Sequence, residues 1–152
     1  MVRKPVLKHL PRLWPAAAVA VLIAVGCAGE PEPRTVVKDL LASLRQDTTS
    51  YDYLSQLLDL GELIQDESIY TYDSSLTIDE NGRAFVSMLQ KGGELRQNWV
   101  TKQIVLGDVA VLNDTATVEV SFIDRTINKQ YYNKMGVHLV DGKWKIFAFR
   151  LF

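Results

Sequence analysis

From Trp99 onward the apolar residues recur at every second position, whereas before it they recur every third or fourth. That single change of period limits the fold more than any other feature. A chain that patterns first as helices and then as consecutive strands cannot be a helical bundle. Nor can it alternate strand and helix as a parallel sheet requires. The segments near 99 to 112, 115 to 126, 130 to 140 and 143 to 152 alternate as strands, separated by Asn113-Asp114, Asn128-Lys129 and Asp141-Gly142. They predict a four-strand antiparallel meander.

Upstream, Val36, Val37, Leu40, Leu41 and Leu44 lie on one helical face, with Thr35 as N-cap, so a first helix is expected from about 35 to 46. The run DTTSYDYLSQLLDLGELI offers capping hydroxyls at Thr48, Thr49 and Ser50, then Tyr51, Leu54, Leu57 and Leu58 on one face of a second helix. IYTYDSSLTI reads as two short strands about residues 73 to 75, and DENGRAFVSMLQKGG as a third helix ended by Gly92 and Gly93. The fold class is therefore α+β, N-terminal helices covering one face of a curved four-strand sheet.

Cys27, the only cysteine, ends the only long apolar run of the chain. The first 27 residues divide into a basic segment, an apolar segment from Leu13 to Val25 and small residues, the layout of an export signal. The apolar run falls short of the roughly 20 residues of a membrane-spanning helix and carries Pro15. Ala24, Val25, Gly26 and Cys27 resemble the lipobox of bacterial lipoproteins, which implies cleavage before Cys27, lipid on its thiol and a cell-envelope location facing away from the cytoplasm. Three segments are expected: a signal peptide over 1–26, a lipidated cysteine with an extended tether over 27–34, and a folded domain over 35–152. AGEPEPR suits a tether because its prolines and charges keep it extended and solvated.

The formal net charge is −1, but it is unevenly spread. Arg3, Lys4, Lys8 and Arg12 hold four of the 17 basic residues, leaving 13 against 18 acidic ones and a balance of −5 from Cys27 onward. A surface with that balance and no Lys/Arg cluster argues against nucleic acid as a partner.

Two helices, a short hairpin, a third helix and a meander containing GDVAVLNDTATVEV and the closing DGKWKIFAFRL resemble the cystatin-like α+β cone of the nuclear transport factor two-like superfamily. The resemblance covers about 35 to 152. It implies a cone with a pocket at its mouth, and no single chemistry, since the superfamily spans isomerases, dehydratases, hydrolases, assembly domains and exported lipoproteins. In its isomerases the pocket sets a tyrosine and carboxylates against an apolar cavity. Tyr51, Tyr53, Tyr70, Tyr72 and Tyr131 could supply the tyrosine, and none is matched to a family position.

The residues themselves carry little catalytic signal. His138 is the one histidine after Cys27, which leaves no multi-histidine metal site, and no cofactor is expected. It alternates with Val137 and Leu139 and so points away from the core, across from Lys145, as a surface histidine. Asp66-Glu67 and Asp79-Glu80 are read as capping and solvation.

Two-residue turns would place Leu139 opposite Trp144, Val137 opposite Ile146 and Met135 opposite Ala148, and would put Val105, Val109 and Val111 on the core face. The same register aligns Gln103, Asp124, Asn133 and Arg150 as a polar row on that face. Such a row is either an Asp124–Arg150 ion pair bridged by amides or a ligand-binding floor. An isomerase- or dehydratase-like enzyme would use Asp124 as base and Arg150 or a tyrosine against the developing charge. Ile104, Leu106, Ile123, Phe147, Phe149 and Leu151 fall on the opposite face and predict a homodimer or an envelope protein partner there. Leu106-Gly107-Asp108 is where a bulge would reverse the outer half of the first strand. The functional expectation is a membrane-tethered domain that binds a small apolar ligand or a partner protein, without catalysis.

Overall fold

The computed structural model describes residues 32–66 and 69–151, with the backbone alone for 150 and 151. The expected signal segment, Cys27 and most of the tether lie outside the described residues. The chain is α+β. Five helices, α1 (Pro33–Gln46), α2 (Tyr51–Leu57), α3 (Leu60–Leu63), α4 (Ile78–Leu89) and α5 (Glu94–Val100), precede four strands, β1 (Gln103–Leu112), β2 (Thr115–Asp124), β3 (Lys129–Val140) and β4 (Lys143–Leu151). The strands form one antiparallel sheet in the order β1-β2-β3-β4.

α1 lies across all four strands, and Val36, Val37, Leu40, Leu41 and Leu44 are buried as their spacing requires. It begins two residues before Thr35, because Pro33, whose fixed φ suits a first helical turn, starts it. The expected second helix breaks at Leu58, which is extended and bridges Ile146 at the edge of β4, while Asp59 N–H donates to the Ile146 carbonyl at 2.8 Å. The helix ends there because its chain is needed as a partner for the sheet edge.

The expected hairpin about residues 73 to 75 is absent from the described residues. Asn81 explains why. Its amide, fully buried, accepts from Asp73 N–H at 2.9 Å and donates to the Asp73 carbonyl at 2.9 Å, while the Asp73 side chain accepts from Ser75 N–H. The groups a ladder would have used are thus spent on side chains. α4 is capped as its sequence implies: Thr77 and Glu80 form a reciprocal capping box.

Three irregularities set the sheet register. β1 carries a bulge between Leu106 and Val109, so Ile104 and Leu106 pack on the core and Val105 is exposed, the reverse of the expected facing. Arg34 holds the bulge from α1, donating to the carbonyls of Leu106 at 3.0 Å and Gly107 at 2.6 Å. The β2–β3 loop spans four residues, pairing Asp124 with Lys129. In β4 Leu139 faces Trp144 and Val137 faces Ile146 as expected. A bulge then puts Met135 opposite Phe149 and Asn133 opposite Leu151. Phe147 is the extra residue. A Cβ on Gly136 would come 2.9 Å from the Phe147 ring, so the glycine makes room for it.

Candidate functional site

The polar row does not form. Gln103 stands opposite Ile123 on the outer face, where its Oε1 accepts from Arg125 Nε at 2.9 Å. Asp124 sits at the β2–β3 turn, and Arg150 pairs along the backbone with Lys134 instead of Asn133. Each displacement follows from one of the three irregularities: an extra residue reverses facing, and a longer loop slides the partner strand. The apolar outer face disperses for the same reason. Ile104, Leu106 and Phe149 turn to the core, leaving Ile123 and Phe147 outside, and Leu151 pairs along the backbone with Asn133. Among the described side chains that sheet face therefore lacks the continuous apolar patch that a pairing surface requires.

At the β2–β3 end of the fold the sheet and α5 enclose a cavity of about 620 Å3. α5 is aimed there by the Gly92-Gly93 turn. Gly92 adopts φ 88°, and a Cβ on Gly93 would collide with the carbonyl oxygens of Ser87 and Met88. Leu95, Trp99 and Lys102 line the cavity from α5 and the turn after it, with Phe122 and Asp124 from β2 and Tyr131 from β3. The aromatic wall is continuous with the core: Trp99 lies 5.2 Å from the Phe122 ring and edge-on at 5.4 Å from Phe149.

Polar groups stand at the mouth. Lys102 Nζ donates to the Asn98 carbonyl and lies 5.8 Å from the centre of the Tyr131 ring. Asp124 Oδ1 accepts from Thr126 N–H at 3.0 Å and from its hydroxyl at 2.5 Å. Those bonds, the hydroxyl's first, hold the Asp124 carboxyl below its ordinary value, with Lys102 adding a weaker pull. Tyr131 is the one tyrosine of the five that borders this space.

Asn133 lies on the cavity side of β3, two residues beyond Tyr131 and opposite Val120. Its side chain is 1% exposed, and among the described residues neither its amide nitrogen nor its amide oxygen has a hydrogen-bond partner. A buried unpaired amide costs about 1–3 kcal/mol, so the residue stands apart from Asn81, whose equally buried amide is hydrogen-bonded.

No protein-family model and no curated protein matches the chain. Among solved structures it is similar to the type VI effector–immunity complex Tae3–Tai3 from Ralstonia pickettii, with 17% identity, a TM-score of 0.48 and coverage of 79% of this chain and 96% of that one. It is also similar to an NTF2-like protein from Cytophaga hutchinsonii, with 19% identity, a TM-score of 0.43 and coverage of 79% and 97%. A third is a Campylobacter jejuni protein provisionally labelled an NTF2-like transpeptidase, at 14% identity, a TM-score of 0.46 and coverage of 76% and 96%. Likenesses this distant carry no chemistry across.

Away from the cavity, His138 has the register expected of it, opposite Lys145, but it also has partners that were not expected. Its Nε2 lies 3.0 Å from Asp59 Oδ2 and its ring packs 4.8 Å from that of Phe147. Asp59 stands 79 residues away, and no spacing in the sequence connects them. Among the described residues no three His, Cys, Asp or Glu side chains gather as metal ligands would.

Proposed function

We propose that the chain is an exported lipoprotein of the bacterial cell envelope, held by lipid on Cys27, whose NTF2-like domain binds a small apolar ligand without transforming it. The observation that carries the binding reading is the cavity beside α5. It combines an aromatic and aliphatic wall of Leu95, Trp99, Phe122 and Tyr131 with one ammonium, Lys102, at the rim. Sites for small molecules are built this way, with apolar walls for affinity and a few polar groups for orientation. The anchor rests on the basic, apolar and small-residue succession that ends at Cys27. No described helix is long and apolar enough to cross a membrane.

The enzymatic alternative finds less support. A general base gains strength from a raised pKa, whereas Asp124 is held low by Thr126 and faces Lys129 across the turn.

Titration with 1-anilinonaphthalene-8-sulfonate tests the cavity, its rings suiting the apolar wall and its sulfonate Lys102. Saturable fluorescence enhancement is expected, weakened about tenfold by Leu95→Asp, which sets a carboxylate in the apolar wall against the anionic dye, and by Lys102→Glu. Enhancement indifferent to both substitutions would place the dye elsewhere and remove the reading.

A further inference from the structure

At the opposite end of the sheet, the helical layer stops short of the strands. α1 begins there at Pro33, beside the β1–β2 and β3–β4 turns, and the space between them is a cavity of about 600 Å3. Its apolar wall is Val111, Leu139 and Trp144. Val111 and Leu139 each stand two residues beyond a core residue on the same strand face, Val109 and Val137, so this is the core itself left open. Val111 is 59% exposed, Leu139 37%, and Leu112 at the adjoining tip 72%.

We infer that this open end rests on the lipid bilayer, with the side chains of Val111, Leu112 and Trp144 at the level of the headgroups. The inference depends on the lipid anchor proposed above. Glu32 borders the cavity, and only four residues, five Cα-to-Cα steps, separate it from Cys27. Fully stretched, that tether reaches about 18 Å, and the headgroup layer takes up roughly 5–7 Å of it. The end of the domain that carries the tether is thus the end that faces the lipid. A surface held so close meets the membrane at an effective concentration that makes even a weak apolar contact sufficient. Tryptophan at the rim suits the interface, where an amphipathic ring is favoured. Glu32, Asp114 and Asp141 surround the patch against Lys143, so the contact is with zwitterionic lipid by apolar insertion and not with anionic lipid by charge.

The full chain, purified from the membranes of a bacterial host, is first weighed intact. A chain beginning at Cys27 with acyl groups is required, and an unacylated chain overturns anchor and docking together. The acylated protein is then reconstituted in phosphatidylcholine vesicles whose acyl chains carry bromine, a contact quencher of tryptophan. Two tryptophans follow Cys27, Trp99 and Trp144, and Trp99 is buried in the core. Bromolipid should quench the emission, and Trp144→Phe should abolish that quenching. Val111→Asp with Leu112→Asp should keep the acylation and cut the quenching at least about twofold. Emission of an acylated chain that ignores bromolipid overturns the docking while leaving the anchor intact. Quenching by aqueous acrylamide would then show the patch facing water, and resistance to both quenchers would show it covered by the tether or by another protein.

Discussion

Asp59 holds His138 with one carboxylate oxygen, Oδ2 at 3.0 Å, and caps α3 with the other, Oδ1 accepting from Glu62 N–H at 3.3 Å. One side chain therefore joins the helical layer to the outer face of β3 and starts a helix. Asp59→Ala removes both contacts and should destabilise the domain by about 1–2 kcal/mol, whereas His138→Ala, which spares the cap, should cost about half as much. Denaturant titrations of the two variants measure the difference. Equal losses would mean that the cap contributes no more than the packing of the His138 ring on Phe147.

The two glycines before α5 separate two kinds of requirement. Gly92 has a left-handed φ with open space around it, so Gly92→Ala should cost about 1 kcal/mol. Gly93→Ala drives a methyl into the backbone oxygens of Ser87 and Met88 and should cost about 3 kcal/mol or more. Thermal melts of the pair test the ranking, and the reverse order would mean that the turn relaxes freely.

Asn133→Leu tests the unpaired amide. Replacing a buried polar group that lacks a partner by a hydrocarbon of similar size should leave stability unchanged or raise it by about 1 kcal/mol. A clear loss would reveal a partner for the amide.

Acid should weaken the fold through its turns. Asp73, Asp79, Glu80 and Asp124 all have carboxyls held below their ordinary values by hydrogen bonds: from Ser75, Arg83, Thr77 and Thr126 in turn. A lowered folded-state pKa stabilises above the unfolded value and ceases to do so as pH falls through the folded one. Stability should be level at neutral pH and decline as pH drops through 4.5 for Glu80 and 3.8 for the aspartates, and on below them. Thr126→Ala should return the Asp124 titration toward 3.8, as followed by carboxyl NMR.

The helical and strand halves were legible because burial imposes a period, as Leu40 and Leu44 or Val118 and Val120 illustrate. The β3–β4 turn was legible because Asp141-Gly142 permits few conformations. Beyond it the pairing slipped by one at Phe147, since alternation is blind to a single extra residue. α5 was missed because seven residues give barely two helical turns, and Trp99 suits a strand as well as a helix. The polar row failed with the registers that built it, whereas the cavity depends on how α5 is aimed. Its one local trace is the Gly92-Gly93 pair, which in the sequence marks only the end of a helix.

Each bulge makes the sheet sensitive to odd numbers. Removing Asp108 would take out the extra residue and leave Leu106 opposite Val120 and Val109 opposite Val118, so the facing would survive, whereas removing the regularly paired Ala110 would send Ile104, Leu106 and Val109 into water. The chain before them leads straight into α5, whose Trp99 is fixed in the core, so the reversed strand could not simply turn over. A one-residue deletion at Ala110 should therefore be harsher than one at Asp108, although it removes the smaller side chain.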